Sequence, residues 1–236
     1  MGVVLVFGLM GCSAASDSSS NEATVKISMG NPPNAVEGEE VGGDEKDIEI
    51  IEAPLYFNAE NGQAIYTVLL KNNSENVAGQ VVLSPVAKSE SGDLVGGSSV
   101  GHDYVNYVGP GETTAVSVEL VGCDSEPVSV DWNVKVPYWY KPNDANTYKP
   151  EIGATCVKPD AFNETRAQAE VINTGEVDFS AVFLVAVYRD SAGNIIGSGS
   201  GSEFAIDAGT SKVIKTGGPR EALNVASTDF YVSWQL

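Results

Sequence analysis

Three cysteines, one histidine and a surplus of carboxylates are the groups from which this 236-residue chain could build chemistry. The cysteines stand at Cys12, Cys123 and Cys156, and the histidine is His102. A single histidine leaves most zinc sites and histidine-based catalysis without raw material. His102 adjoins Asp103 in a Gly/Ser-rich turn, where a histidine is ordinarily solvated. Gly197-Ser198-Gly199-Ser200-Gly201 has the letters of a nucleophile elbow. That motif needs a strand-to-helix turn, and no helix follows, so the segment reads as a flexible or bulged hairpin between strands. The 32 acids against 13 Lys+Arg give a net charge of −19, without the Asp-x-Asp-x-Asp-Gly spacing of a calcium loop. This balance excludes nucleic acid as a partner, since phosphate contacts need clustered Lys and Arg. It also repels anionic lipid surfaces, so membrane attachment must be covalent or hydrophobic. The expectation is a non-enzyme with no catalytic residue, metal or cofactor.

The elements that would position these groups are strands. Hydrophobic content of 42%, with 9 Tyr, 7 Phe and 3 Trp, suffices for a folded core. No segment keeps a 3.6-residue period over three turns. Short alternating runs broken by Gly, Asn and Pro predict strands at 64–70 and 115–120, then at 166–171, 179–188 and 225–234. The chain also repeats itself at about 100 residues. Asn73-Ser74 with Val77 matches Asn173-Thr174 with Val177. Val130, Trp132 and Val134 match Phe230, Val232 and Trp234, and Gly92-Asp93 matches Gly193-Asn194 after a one-residue slip. The fold expected is all-β: two tandem antiparallel immunoglobulin-like sandwiches, at 48–137 and 151–236, joined by a hinge at 138–150.

The N-terminus supplies a different kind of signal. An apolar stretch, Val3 to Met10, runs into Leu9-Met10-Gly11-Cys12. It is too short to span a bilayer and lies where a secretory signal lies. The four residues resemble the bacterial lipobox: an aliphatic residue, a tolerant position, a small residue, then Cys. The resemblance implies a signal peptide over 1–11, cleavage between Gly11 and Cys12, and a diacylglyceryl lipid on the Cys12 thiol. No basic residue precedes the apolar stretch, as it does in such signals, which fits a start site lying further upstream. Residues 12–47, rich in Ser, Asn, Gly, Pro and acids, read as a disordered acidic tether. Residues 13–53 hold ten acids and two lysines, so much of the charge belongs to this stalk.

The segment Val185-Ala186-Val187-Tyr188-Arg189-Asp190-Ser191-Ala192-Gly193-Asn194-Ile195-Ile196-Gly197 is similar to the FxLYD domain, an immunoglobulin-like module of bacterial surface lipoproteins. Val171-Ile172-Asn173-Thr174-Gly175 resembles that family's upstream strand end. Val185 and Val187 replace the name-giving Phe and Leu, and the first half has Ala87-Lys88 where the aromatic falls. The resemblance covers about 85 residues well and another 90 faintly, and it transfers no catalytic residue.

Two site questions remain open at this level. With Cys12 assigned to lipid, Cys123 and Cys156 either form a disulfide in an oxidising compartment or stand as two buried thiols, one per domain. A bridge would close a loop of 33 residues and contribute about 3–4 kcal/mol. The aromatics Tyr138, Trp139 and Tyr140 either stack on cell-wall glycan or a partner protein, or pack between the two domains. The function expected is a lipoprotein anchored to the cell membrane through Cys12, outside the cytoplasm. It would serve as a non-catalytic binding or scaffolding module for another envelope or extracellular protein or for cell-wall glycan. The alternatives are an envelope solute or glycan receptor and an accessory subunit of an envelope enzyme.

Overall fold

The computed structural model describes residues 38–98, 103–123 and 125–235. The signal and lipidation residues Gly11 and Cys12, most of the tether, and His102 lie outside them. The regular elements among the described residues are fifteen strands and a single 3₁₀ turn (Glu45–Asp47). The first half contains β1 (Ile48–Glu52), β2 (Leu55–Asn58), β3 (Gln63–Asn72), β4 (Val77–Lys88), β5 (Leu94–Ser98), β6 (Asp103–Val108), β7 (Thr113–Val121), β8 (Ser129–Lys135) and β9 (Trp139–Tyr140). The second contains β10 (Glu151–Pro159), β11 (Thr165–Ile172), β12 (Phe179–Arg189), β13 (Ile195–Ile206), β14 (Ser211–Lys215) and β15 (Ser227–Gln235). Every pairing is antiparallel. The second half has two three-stranded sheets, β10-β11-β14 and β13-β12-β15. In the first half β5 pairs both β4 and β7, which joins the two layers into one continuous sheet.

The all-β expectation holds, in a sandwich-like arrangement of antiparallel sheets, and the internal repeat is a repeat of register. Leu83 faces Val134 across β4 and β8, as Leu184 faces Val232 across β12 and β15. Lys71 faces Thr113 as Ile172 faces Ser211. These pairs make Trp132 the counterpart of Phe230 and Asn72 that of Asn173. Both differ from the sequence matching, by two residues in the last strand and by one at the asparagine. Gly97 and Val108 correspond to Ser198 and Ile206, so the first half carries three extra residues between them, and they split one long strand into β5 and β6.

The paired asparagines show why the frame recurs. Asn72 Nδ2 donates to the carbonyls of Asn76 and Val108, both at 2.8 Å. Asn173 Nδ2 donates to Val177 and Ile206 at 2.9 and 3.1 Å. Each Oδ1 accepts an amide two residues on, from Ser74 or Gly175. Both side chains are fully buried. One amide group thus ties a turn to the strand on the facing sheet and satisfies carbonyls that no ladder reaches. The residue before each strand-end carbonyl, Tyr107 or Ala205, has a positive φ of 49° or 54°. Such a conformation costs a non-glycine residue about 1–2 kcal/mol, so its recurrence marks a bend the frame requires.

The cores differ by a compensated exchange. In the first half Tyr66 on β3 meets Trp132 edge-on at 5.3 Å, and Ala87 stands on β4. In the second, Ala167 replaces the tyrosine and Tyr188 on β12 takes the place of Ala87. The bulk moves from one sheet to the other and the interior stays filled.

The expected hinge at 138–150 opens with a strand. Trp139 and Tyr140 form β9, which pairs with β4, and residues 39–41 pair alongside through Val41 N to Trp139 O and Lys141 N to Glu39 O. Residues 38–47 therefore belong to the folded body, though the sequence assigns them to the tether. The two halves also pack on each other. Leu69 and Ala115 of the first meet Val185 and Val187 of the second. Thr67 Oγ1 donates to Ser198 Oγ, which donates to Ser117 Oγ, each at 2.9 Å. Tyr107 stacks on Trp234 at 4.5 Å, and Tyr56 donates its hydroxyl to Glu221 at 2.8 Å.

Two predictions follow from this packing. Asn72→Ala and Asn173→Ala should each destabilise the protein by about 2–4 kcal/mol in urea unfolding, because each strands buried carbonyls. The Tyr56 hydroxyl is pushed up to about 12, chiefly by burial and further by Glu221, against a lowering from Asn58. An unfolded tyrosine titrates near 10, so the native state holds this proton more tightly, and the stability it contributes is lost as pH rises from about 10 toward 12. Urea midpoints across that window should fall less steeply in Tyr56→Phe than in the wild type.

Candidate functional site

The groups singled out in the sequence do not converge. Cys123 and Cys156 form no disulfide, and no bridge pins the halves together. The reason is where the strands place them. Cys123 is buried in the first core, and Gly96 leaves the room: a Cβ there would lie 2.5 Å from Cys123 Sγ. Cys156 stands on β10 opposite Gln168 of β11, in the second half. Its neighbour Val157 packs inward with Tyr188 and Phe230, so strand alternation turns Cys156 to the outer face.

The aromatic triplet is divided between two cores. Trp139 packs among first-half residues, and Tyr140 packs with Tyr107, Phe179 and Trp234. Tyr138 is the exposed member, at 45%, and stacks on Tyr140 with ring centres 6.4 Å apart. Three adjacent residues in an extended chain cannot present one face. The Gly197–Gly201 segment is likewise not a loop between strands. It is the middle of β13, paired from Ser198 to Gly201 with β12. A Cβ at Gly199 would lie 1.8 Å from the carbonyl oxygen of Gly217, and one at Gly201 would lie 2.1 Å from that of Lys215. The glycines let two backbones touch, while Ser198 reaches the other half.

Two cavities lie on the second half. One of about 390 Å³ opens between the edge strands β10 and β15, lined by Val157, Leu223, Val225 and Phe230. Thr228 Oγ1 at its wall is buried and has no hydrogen-bond partner. A second cavity, about 350 Å³, lies on the outer side of β10-β11-β14 and is lined by Cys156, Lys158, Asp160, Arg166, Gln168 and Lys215. Lys158 faces Arg166 directly across β10 and β11, and Gln168 faces Lys215 across β11 and β14. Arg166 Nε bonds Asp160 Oδ2 at 3.2 Å, and its Nη2 pairs with Glu164. Asp160 is turned to its own hairpin, accepting the amides of Phe162 and Glu164. Among the described residues no group of three or more His, Cys, Asp and Glu is placed to hold a metal ion.

The cationic cavity escaped the sequence reading, since its three basic residues lie on three strands up to 57 positions apart. Each sits on the outward side of an alternating run, a signal that becomes a site only when the strands are laid side by side. Compared with models of protein families and with curated proteins, the chain matches none.

One outcome tests the thiol assignment. Alkylation of the native protein should label Cys156 and spare Cys123 until denaturant is added, with intact mass unchanged by reductant. A mass two units lower before reduction would restore the bridge.

Proposed function

We propose that this protein is a lipid-anchored extracytoplasmic lipoprotein whose two sandwich repeats, of the FxLYD-like immunoglobulin-like kind, act as a non-catalytic binding or scaffolding module. The observation that carries the reading is Leu9-Met10-Gly11-Cys12 at the end of an apolar stretch, with a polar segment between it and the folded body. Twenty-five residues separate Cys12 from Gly38, where the described body begins. A diacyl lipid supplies the two chains that stable anchoring needs, where one alone is marginal. The body suits presentation: its repeats are packed into one block, and the cavities described above open on the second. Those cavities are lined by cations, hydroxyls and apolar groups, a lining for holding a ligand. Aromatic stacking on glycan has less support, because Trp139 and Tyr140 are buried.

Fractionation tests the anchor. The full chain should partition with membranes, and Cys12→Ala should appear in the soluble or secreted fraction with an unchanged urea midpoint. Retention of Cys12→Ala in the membrane fraction would overturn the reading.

A further inference from the structure

The repeat allows a comparison of one face with itself. In the first half, the outward side of β2, β3 and β7 carries the opposed pairs Tyr56 with Ile65 and Thr67 with Ser117. That side lies against the second half, through Thr67, Ser117, Leu69 and Tyr56. The same register puts Lys158 opposite Arg166 and Gln168 opposite Lys215 on the second half. Three neutral positions, Tyr56, Ile65 and Ser117, have thus all become cationic. A face that packs in one repeat surrounds a cavity of about 350 Å³ in the other.

Of the three cations there, only Arg166 holds an acid among the described residues. Like charges directly opposite on neighbouring strands destabilise a sheet, and Lys158 meets Arg166 in that way. Asp160 and Glu164 neutralise Arg166 through Nε and Nη2, leaving Nη1 for another acceptor. Lys158 and Lys215 make no ion pair among the described residues, as Lys46, Lys71 and Lys135 make none, whereas Lys88, Lys141, Lys149, Arg189, Lys212 and Arg220 each hold an acid. In a chain with 32 acids and 13 Lys+Arg, two lysines and an arginine bordering one cavity are a local concentration of positive charge.

We propose that this cavity binds the oxyanion of a small ligand, a phosphate or carboxylate group neutralised by Lys158 and Lys215 with the free edge of Arg166. Two ammonium groups and one guanidinium edge match the several acceptor oxygens of such a group. The volume lies at the small end of ligand sites, which run from about 300 to 1,000 Å³, so the occupant is of sugar-phosphate size rather than a protein segment. The proposal deepens the binding-module reading and is independent of the lipid on Cys12, so the fractionation and the binding test fail separately.

Cys156 lines the cavity and reports its occupancy. In the full chain carrying Cys12→Ala, the rate of iodoacetamide labelling at Cys156 is measured by mass spectrometry with inorganic phosphate, with citrate, and with sodium chloride at matched ionic strength. Phosphate or citrate should slow labelling at least about threefold over chloride, and whichever does so identifies the anion class. The double variant Lys158→Gln/Lys215→Gln, at two solvent-facing positions, should lose that protection. It should also lower the ratio of iodoacetate to iodoacetamide rates by about threefold or more. Lys71→Gln/Lys135→Gln, carrying the same charge change elsewhere, should leave both readouts unchanged. Equal protection by chloride, none by either anion, or full protection in the double variant would each overturn the proposal, and only variants with wild-type urea midpoints are compared.

Discussion

The close approach of β13 to the backbone after β14 governs the second half of this molecule. Glycine at 197, 199 and 201 removes three successive side chains from one side of the strand, so the backbone at Lys215 and Gly217 packs directly on it; Gly217 N donates to Ser200 O at 2.7 Å. Tyr188 uses the space, its hydroxyl 3.2 Å from Thr216 Oγ1. The other side of the same strand carries Ser198, buried between Thr67 and Ser117 of the first half. One alternating Gly/Ser run therefore sets the core on one side and the seam between repeats on the other. A methyl group at Gly199 would have to displace backbone, which is the most rigid neighbour a side chain can meet.

Both halves share one frame, and packing makes them unequal. The buried asparagines, the left-handed residues Tyr107 and Ala205, and the ion pairs Lys88 to Asp131 and Arg189 to Asp229 recur at matching positions. The asparagines among them satisfy carbonyls that would otherwise be buried without a partner. Side chains on outward faces are free of that constraint. The first half has spent one face on contact with the second, with hydroxyls, Leu69 and Ala115 there. The second half has placed lysines and arginine on the equivalent face.

Much of the frame was legible in the chain. Strands expected at 64–70, 115–120, 166–171 and 179–188 lie inside β3, β7, β11 and β12, because their alternation or apolar content reports burial directly. The repeat was legible too, though its alignment slipped by one residue at Asn72 and by two at Trp132, since matching letters ignores loops of unequal length. Three residues inserted between β5 and β6 account for the drift. The site was less legible. Tyr138, Trp139 and Tyr140 look alike in sequence, yet strand alternation and β9 pairing bury two and expose one.

Composition by itself determined that the chain folds and is acidic. Periodicity determined that it is built of strands, twice over, because both properties are carried by neighbours along the chain. Tertiary structure decided the rest. It joined the halves through a buried hydroxyl chain, kept Cys123 and Cys156 apart in different environments, and collected Lys158, Arg166 and Lys215 around one cavity. Those outcomes depend on which strands become neighbours and which face each turns outward, and the pairing of distant strands is written in no local stretch of sequence.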